Sequence, residues 1–488
     1  MGLLLEFKWD GTNWTDETAR CEEFFIRRGL PHEDSSRLQR RAAVGTAMFQ
    51  LDNYDRRFSP SHSGSAIYPD VQPRVLVRAT RRGQVIYNGR IVSIIVDGGQ
   101  FLEKQAFIFC DDVFERIRDV AIGPLSTADF ASTRDVDKNV ELMLELYVGL
   151  ESSEYSIDTT DDLFGSDTQR WEQLDIGVGE ALSLITQAYY TASYVDGAGV
   201  LQYVSRENYL NVSGGAVATF DNSAEGIKVR ASNSVEYIIN RVKYRVYPPP
   251  AAGSLGVLWL NNSTIRIGPN ATRVIKLLFR DADTGERCSA FSVEALTPTT
   301  DYLIFSKSDG TGVNLTSSSA IEIVENSGTG ALELTVTSTL PYAAYFTFLQ
   351  VRGVPNVAED NIDIIVEDSD SIAAYGVREI VVDASFVGDE DFARQWCNFV
   401  VNWRSQPHDY VEHVSVDGQD LGAVNPYTLD VFDLVAVEEY QTASDGLYRI
   451  WAVEYRPAGI GFYLESVANF QDFLIWDEGN WDEKNWGL

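Results

Sequence analysis

The chain has 488 residues, a formal net charge of −33, and 44% hydrophobic and 12% aromatic residues. That is apolar material for about three cores at roughly 150 residues each, which excludes global disorder. The charge excludes wrapping of nucleic acid, whose phosphates it repels, and no run approaches the ~20 apolar residues that cross a bilayer.

The N-terminal run Met1–Lys8 reads as a strand, not a leader: Glu6 and Lys8 interrupt its leucines, and it has neither a basic start nor a cleavage site. Strand patterns continue at Ala42–Leu51, Arg74–Ala79, Gln84–Tyr87, Ile91–Asp97 and Gln105–Cys110. Asn88-Gly89 and Asp97-Gly98-Gly99 are the turn signals between them. Such pairs around short turns make a meander or small barrel. Residues 1–90 hold 14 Lys/Arg against 11 Asp/Glu, a net of +3 that leaves −36 for the remainder. An Arg-rich front on an acidic body points to two kinds of neighbour, or to solubility alone.

Helical spacing follows. Val136, Val140, Met143, Leu144 and Tyr147 form one stripe, with Asp135 as N-cap and Gly149 as stop. Val178, Ala181, Leu182, Ile185, Ala188, Tyr189 and Ala192 form a second, ended by Gly197 and Gly199, and the strand Val200–Ser205 comes next. Pro248-Pro249-Pro250 forbids both helix interior and central strand and marks a boundary. Beyond it Ile275–Arg280, Tyr302–Ser306, Ala320–Glu325, Leu332–Ser338 and Ala344–Val351 have the spacing of an inserted β-sandwich.

Tyr375–Val382 reads as a strand and Asp389–Trp403 as a helix, with Phe392, Trp396, Phe399, Val400 and Trp403 on its apolar stripe and three acids in its first turn. Strands at Tyr410–Val416, Leu447–Tyr455 and Gly461–Val467 close the unit. Finally Trp476, Trp481 and Trp486 recur every five residues, a period of neither helix nor strand, and Trp9-Asp10-Gly11-Thr12-Asn13-Trp14 is a similar phrase at the other end.

Little of this carries chemistry. The four cysteines, Cys21, Cys110, Cys288 and Cys397, are too scattered for a zinc site or redox dithiol and suit reduced, buried thiols in a reducing cytoplasm. His408 and His413 lie beside a strand and read as structural, not as metal ligands. No nucleophile elbow or phosphate-cradling loop is present. Asp281-Ala282-Asp283-Thr284-Gly285-Glu286 imitates the front of a calcium loop, but Gly285 stands where a ligand belongs, so a hairpin turn is expected. Neither catalytic residues nor a cofactor or metal is expected. The terminal tryptophans either fold back on their own domain or dock on a partner. Trp476, Trp481, Trp486, Trp9, Trp14, Arg56 and Arg57 are the candidate partner-docking residues.

Four phrases carry a resemblance. They are Arg41-Ala42-Ala43-Val44-Gly45-Thr46 continuing through Leu51-Asp52-Asn53 to Arg57-Phe58-Ser59-Pro60; the pair Pro73–Arg78 and Val85–Ile91; Tyr194–Tyr203; and Ser371-Ile372-Ala373-Ala374-Tyr375-Gly376-Val377-Arg378. In this order they resemble the tail-tip (baseplate) hub proteins of tailed phages and related injection machines. The likeness spans residues 1–245 and 369–467, leaving the sandwich without a counterpart and no lysozyme or peptidase domain appended.

The resemblance implies a mainly β fold with α+β parts. Two small barrel-like hub domains cover 1–122 and 200–247 plus 369–467. A mixed segment covers 123–199, the inserted sandwich 248–368, and a Trp/acid-rich tail 468–488. It also implies a homotrimeric ring at the virion tail tip, assembled in the host cytoplasm. That ring would join tube-ring and tape-measure proteins to fibre or spike components, with DNA passing only through an acidic lumen. A carbohydrate-binding or adhesin protein, using its tryptophans for ring stacking, stays open as the alternative, and a hydrolase with unrecognised carboxylates is a third reading.

Overall fold

Period-two alternation dominates the chain, and strands follow it. A computed structural model describes residues 2–30, 43–98, 104–122, 135–160, 162, 176–221, 226–232, 235–247, 254–280, 285, 288–327, 331–356, 361–384, 387–407 and 410–467. The N-terminal part holds β1 (Leu3–Phe7), β2 (Thr15–Asp16), β3 (Cys21–Gly29), β4 (Thr46–Asp52), β5 (Leu76–Arg81), β6 (Gln84–Val96) and β7 (Gln105–Asp111). Next come α1 (Phe114–Arg118), α2 (Val136–Leu142) with a π-helical continuation Met143–Val148, β8 (Tyr155–Ile157), α3 (Val178–Tyr189), β9 (Ala192–Val195), β10 (Leu201–Val204) and α4 (Arg206–Leu210). They lead to β11 (Ala218–Asp221), β12 (Ile227–Ser232) and β13 (Arg241–Val246).

The segment after the prolines carries β14 (Gly256–Leu260), β15 (Ile265–Ile267), β16 (Thr272–Leu278), β17 (Ser289–Val293), β18 (Tyr302–Phe305), β19 (Ile321–Ser327), β20 (Ala331–Ser338) and β21 (Ala344–Asn356). The remainder is β22 (Ile362–Glu367), α5 (Ser369–Tyr375), β23 (Glu379–Asp383), α6 (Glu390–Arg404), β24 (Tyr410–Val416), β25 (Leu434–Glu439), β26 (Ser444–Arg456) and β27 (Gly459–Ser466).

One 13-stranded sheet runs β12-β24-β27-β26-β3-β4-β7-β6-β5-β1-β2, with β25 and β11 attached at β26. It joins both ends of the chain through β3 and β26, where Gly29 faces Ala452 and Ile26 faces Tyr455. Gly29 is required at this seam. Its φ is +110°, and a Cβ there would lie 2.5 Å from the Trp451 carbonyl oxygen.

The segment after the prolines is an excursion between neighbouring strands. β13 pairs with β22 antiparallel and with β23 in parallel, so Val246, where the chain departs, lies opposite Ile362, where it returns. Between them, residues from Leu258 to Val351 pack into a hydrophobic core of their own, apart from the core shared by the rest of the described chain. Two sheets enclose it, β16-β20-β19 and one built on the long strand β21.

Local signals mislead in three places. Asn88-Gly89 is no turn: both residues lie inside β6, opposite Arg78 and Val77, and the chain reverses at Arg82-Gly83 instead. Gly89 serves close approach, since a Cβ would sit 2.5 Å from the Asp111 carbonyl oxygen. The helix expected to reach Ala192 stops at Tyr190, which is left-handed with φ 58°, and Ala192 is already in β9. There the Tyr190 ring sits edge-on to Tyr209, Trp396 and Phe399 at 5.4–6.1 Å, contacts that lie far off in sequence. Tyr375 ends α5 rather than opening a strand. Asp368 caps that helix through the Asp370 and Ser371 amides, and Gly376 stops it.

A buried cation ties the parts together. Arg28, 2% exposed, donates from Nε to the Ile86 carbonyl at 2.8 Å and from Nη1 to the Val195 carbonyl at 3.2 Å. It also donates to Asp430 at 2.8 Å and to the Tyr455 hydroxyl at 3.1 Å. Burial works against its charge, but Asp430 and Tyr455 hold the guanidinium protonated. Beside it the buried Asp112 carboxylate accepts the Gly45 and Phe114 amides, yet burial pushes its pKa up to about 7.

Two outcomes are expected. Arg28→Met leaves these acceptors buried without their donor and lowers stability by about 3 kcal/mol in urea titration. Asp112 has its pKa raised on folding, so its contribution falls as pH rises from its unfolded value near 4 through about 7. Melting curves of Asp112→Asn against the parent should show a flatter decline over that window.

Candidate assembly surfaces

The phrase that ends Arg57-Phe58-Ser59-Pro60 folds as an anchored loop on the N-terminal strands. Asn53 organises it, accepting the Phe58 amide at 2.8 Å and donating to the Ser59 hydroxyl at 3.1 Å. Phe58 is fully buried against Trp9, which stacks on Phe7 at 4.8 Å. Glu17, 3% exposed, gathers the polar groups of this corner. It accepts from the Trp9 indole at 3.2 Å and from Arg57 Nε and Nη2 at 2.9 and 2.6 Å. Next to it Arg20 forms a fork on Asp55 at 3.0 and 2.7 Å, which holds that carboxyl below its ordinary range.

The candidate docking residues therefore have different fates. Trp9 is 5% exposed and spends its ring and its N–H inside the corner, and Arg57 spends its guanidinium on Glu17. Trp14 is half-buried, with Lys8 and Arg78 over its ring at 5.3 and 4.5 Å. Arg56 is exposed at the loop tip with φ 61°. Trp476, Trp481 and Trp486 lie outside the described residues, as do His408 and the Asp281–Thr284 part of the calcium-like phrase.

Asp10 sets the shape of the Trp9–Trp14 phrase. Its carboxylate accepts the Asn13 amide at 2.7 Å, the Asn13 side-chain nitrogen at 2.9 Å and the Thr12 amide at 2.8 Å, which together lower its pKa to about 2.

Sequence reasoning missed the outer face of the sheet. On β3, β4 and β7 the core takes Phe24, Ile26, Ala47, Phe49, Ala106 and Ile108. Several of the alternate positions, which a sheet solvated on one side makes polar, are also apolar here, among polar ones such as Gln50 and Gln105. Phe25 lies opposite Met48, Met48 opposite Phe109, and Phe107 opposite Ile95. Phe109 is 38% and Ile95 50% exposed. The signal was present as loss of alternation in Gln105–Asp111, but assigning it to a face needs the register.

Across the seam the same face becomes polar and hollow. Arg27 opposes Glu454, and Tyr463 opposes His413, which opposes Arg230. A groove of about 680 Å³ lies over β12, β24, β27 and the end of β26. Glycines floor it: a Cβ on Gly461 would meet His413 Nε2 at 2.5 Å. His413 packs on Tyr463 at 4.9 Å, and its burial lowers its pKa, so it is neutral near pH 7. Glu454 accepts from Arg456 at 2.6 Å and from the Tyr463 hydroxyl at 3.3 Å, and Glu412 accepts from Tyr237 at 2.7 Å and Arg230 at 3.3 Å. Among the described residues no group of three His, Cys, Asp or Glu is placed to hold a metal ion, and no helix is long and apolar enough to cross a membrane.

A mainly β chain whose ends share one sheet, with an excursion between adjacent strands, has the fold of a phage tail protein. The tail protein from Neisseria meningitidis MC58 is similar over 96% of this chain and 98% of its own, with TM-score 0.50 and 9% identity. The 43 kDa tail protein of prophage MuSo2 from Shewanella oneidensis aligns over 97% and 100%, with TM-score 0.48 and 10% identity. A prophage tail protein from Listeria monocytogenes EGD-e aligns over 98% and 99%, with TM-score 0.41 and 9% identity. No protein-family model and no curated protein matches the sequence.

The corner predicts a contrast. Glu17→Ala leaves the buried Trp9 indole and the part-buried Arg57 guanidinium without their acceptor and should cost about 3 kcal/mol in chemical denaturation. Arg56→Ala, at the exposed tip of the same loop, should stay within about 0.5 kcal/mol.

Proposed function

We propose that this chain is a structural tail-tip hub, three copies of which close into a ring at the end of a phage-type tail tube. What supports the reading is the likeness of fold along the whole chain, 96% of it, to a phage tail protein. The outer sheet face fits it physically. Phe25, Met48, Phe107, Phe109 and Ile95 extend an apolar surface away from the core, and such surface is stabilised by burial against another protein. A ring needs heterologous contacts, in which different patches of one chain meet.

In this role the protein works by binding rather than catalysis. It joins tube-ring and tape-measure proteins to fibre or spike components in the virion. The Arg-rich front suits the tube side, and the acidic remainder suits a lumen that repels DNA phosphates during passage.

Electron microscopy of the purified protein, or of the particle that carries it, tests the proposal. A threefold ring with a central pore is expected, and Phe109→Glu with Ile95→Glu should dissociate it while leaving the melting temperature of the subunit in place. A lone globule at every concentration, and no ring in the particle, would remove the proposal.

A further inference from the structure

The first Trp-Asp-x-x-Asn-Trp phrase, Trp9 to Trp14, recurs twice in the C-terminal segment, as Trp476-Asp477-Glu478-Gly479-Asn480-Trp481 and Trp481-Asp482-Glu483-Lys484-Asn485-Trp486. The constant positions are those that make the N-terminal turn. Asp10 is the acceptor, and Asn13 donates to it from both backbone and side chain. The two tryptophans then take different partners: Trp9 takes an aromatic ring and a carboxylate for its N–H, and Trp14 takes cations over its face. A further copy of the phrase needs the same three kinds of group.

The groove over β12, β24 and β27 offers all three. His413 and Tyr463 supply rings, Glu412 and Glu454 supply carboxylates, and Lys228, Arg230 and Arg456 supply cations. The arginine side chains are 78% and 62% exposed although each touches a carboxylate, so they remain open to a ligand. The lining also holds Glu412, Asp417 and Glu454, so its formal charges balance, but Glu412 and Glu454 are only 13% and 10% exposed and the groove presents the arginines to a segment (468–488) of five acids and one lysine.

Reach also suffices. Tyr463 in the groove is four residues before Val467, about 13 Å along a strand. Trp476 follows Val467 by nine residues, at most about 30 Å of extended chain. A segment tethered this closely meets its own groove at an effective concentration of roughly millimolar, above that of any second copy in dilute solution.

We propose that this groove is the docking site for the chain's own Trp476–Trp486 segment, held by stacking of its tryptophans and by pairing of its acids with Lys228, Arg230 and Arg456. The assignment does not depend on the hub reading and is tested on the soluble full-length chain. Trp476, Trp481 and Trp486 are replaced together by alanine to empty the groove, and a synthetic peptide of residues 468–488 is titrated in by calorimetry.

The peptide should bind this variant at least about tenfold more tightly than it binds the parent, whose own segment competes. Adding Arg230→Glu and Arg456→Glu should weaken peptide binding about tenfold or more; because the reversals also break the pairs with Glu412 and Glu454, circular dichroism below the melting transition confirms that the variant is folded. A peptide carrying Asp477→Ala and Asp482→Ala should also bind more weakly, because it loses two of the acids proposed to pair with the cations. Absence of peptide binding, or binding indifferent to the arginine reversals, overturns the site. A dimer in light scattering that the tryptophan substitutions dissolve overturns the intramolecular assignment.

Discussion

A guanidinium cannot be taken out of water unless its donors and its charge are met, and Arg28 imposes that constraint on the whole molecule. Its acceptors come from β6, from β9, from the loop before β25 and from β26. Asp430 is 402 residues away in sequence. Arg28 therefore becomes satisfied only when the N-terminal strands, the mixed middle segment and the C-terminal strands have all met. Asp430 extends the tie by accepting the Gly197 amide at 3.1 Å. Gly29, next to Arg28 on β3, sits at the seam with β26 and lets the Trp451 carbonyl come close.

Other buried charges repeat the device at smaller scale. Arg404 and Glu465, 1% and 2% exposed, pair at 3.2 Å, and Tyr209 donates to the same carboxylate, so α6, β27 and α4 share one electrostatic junction. Arg449 donates to the carbonyls of Phe432, Asn208 and Asn211. In the excursion Arg352 forks onto the 1%-exposed Asp301 at 2.6 and 3.0 Å. Each pair is conditional on tertiary contact, so these junctions favour one arrangement of the strands over alternatives of similar apolar burial.

The big sheet divides its outer face between two kinds of surface. Over β3, β4, β7 and β6 it carries an apolar patch of Phe25, Met48, Phe107, Phe109 and Ile95. Over β12, β24 and β27 it is hollow and charged because Gly461 leaves room that any side chain would fill. The first suits a broad contact between folded proteins, the second a narrow segment with rings and acids. The two surfaces meet where Arg456 of the groove lies over the Phe25 ring at 5.3 Å.

Much of this was legible from residues alone. Alternation marked more than half of the strands, and Asp389 with its apolar stripe marked α6 to within a residue at each end. These are local signals, decided by backbone sterics and by which side of a strand or helix must avoid water. The errors were local too: Asn88-Gly89 has the composition of a turn, yet cross-strand pairing with β5 outweighs that preference and keeps it extended. Glu17 gave no sign of organising the corner, since its partners Trp9 and Arg57 arrive from either side in sequence. The apolar outer face, the groove and the Arg28 junction belong to tertiary structure alone. Their existence depends on strand register and on distant residues meeting, and neither is written in the spacing of neighbours along the chain.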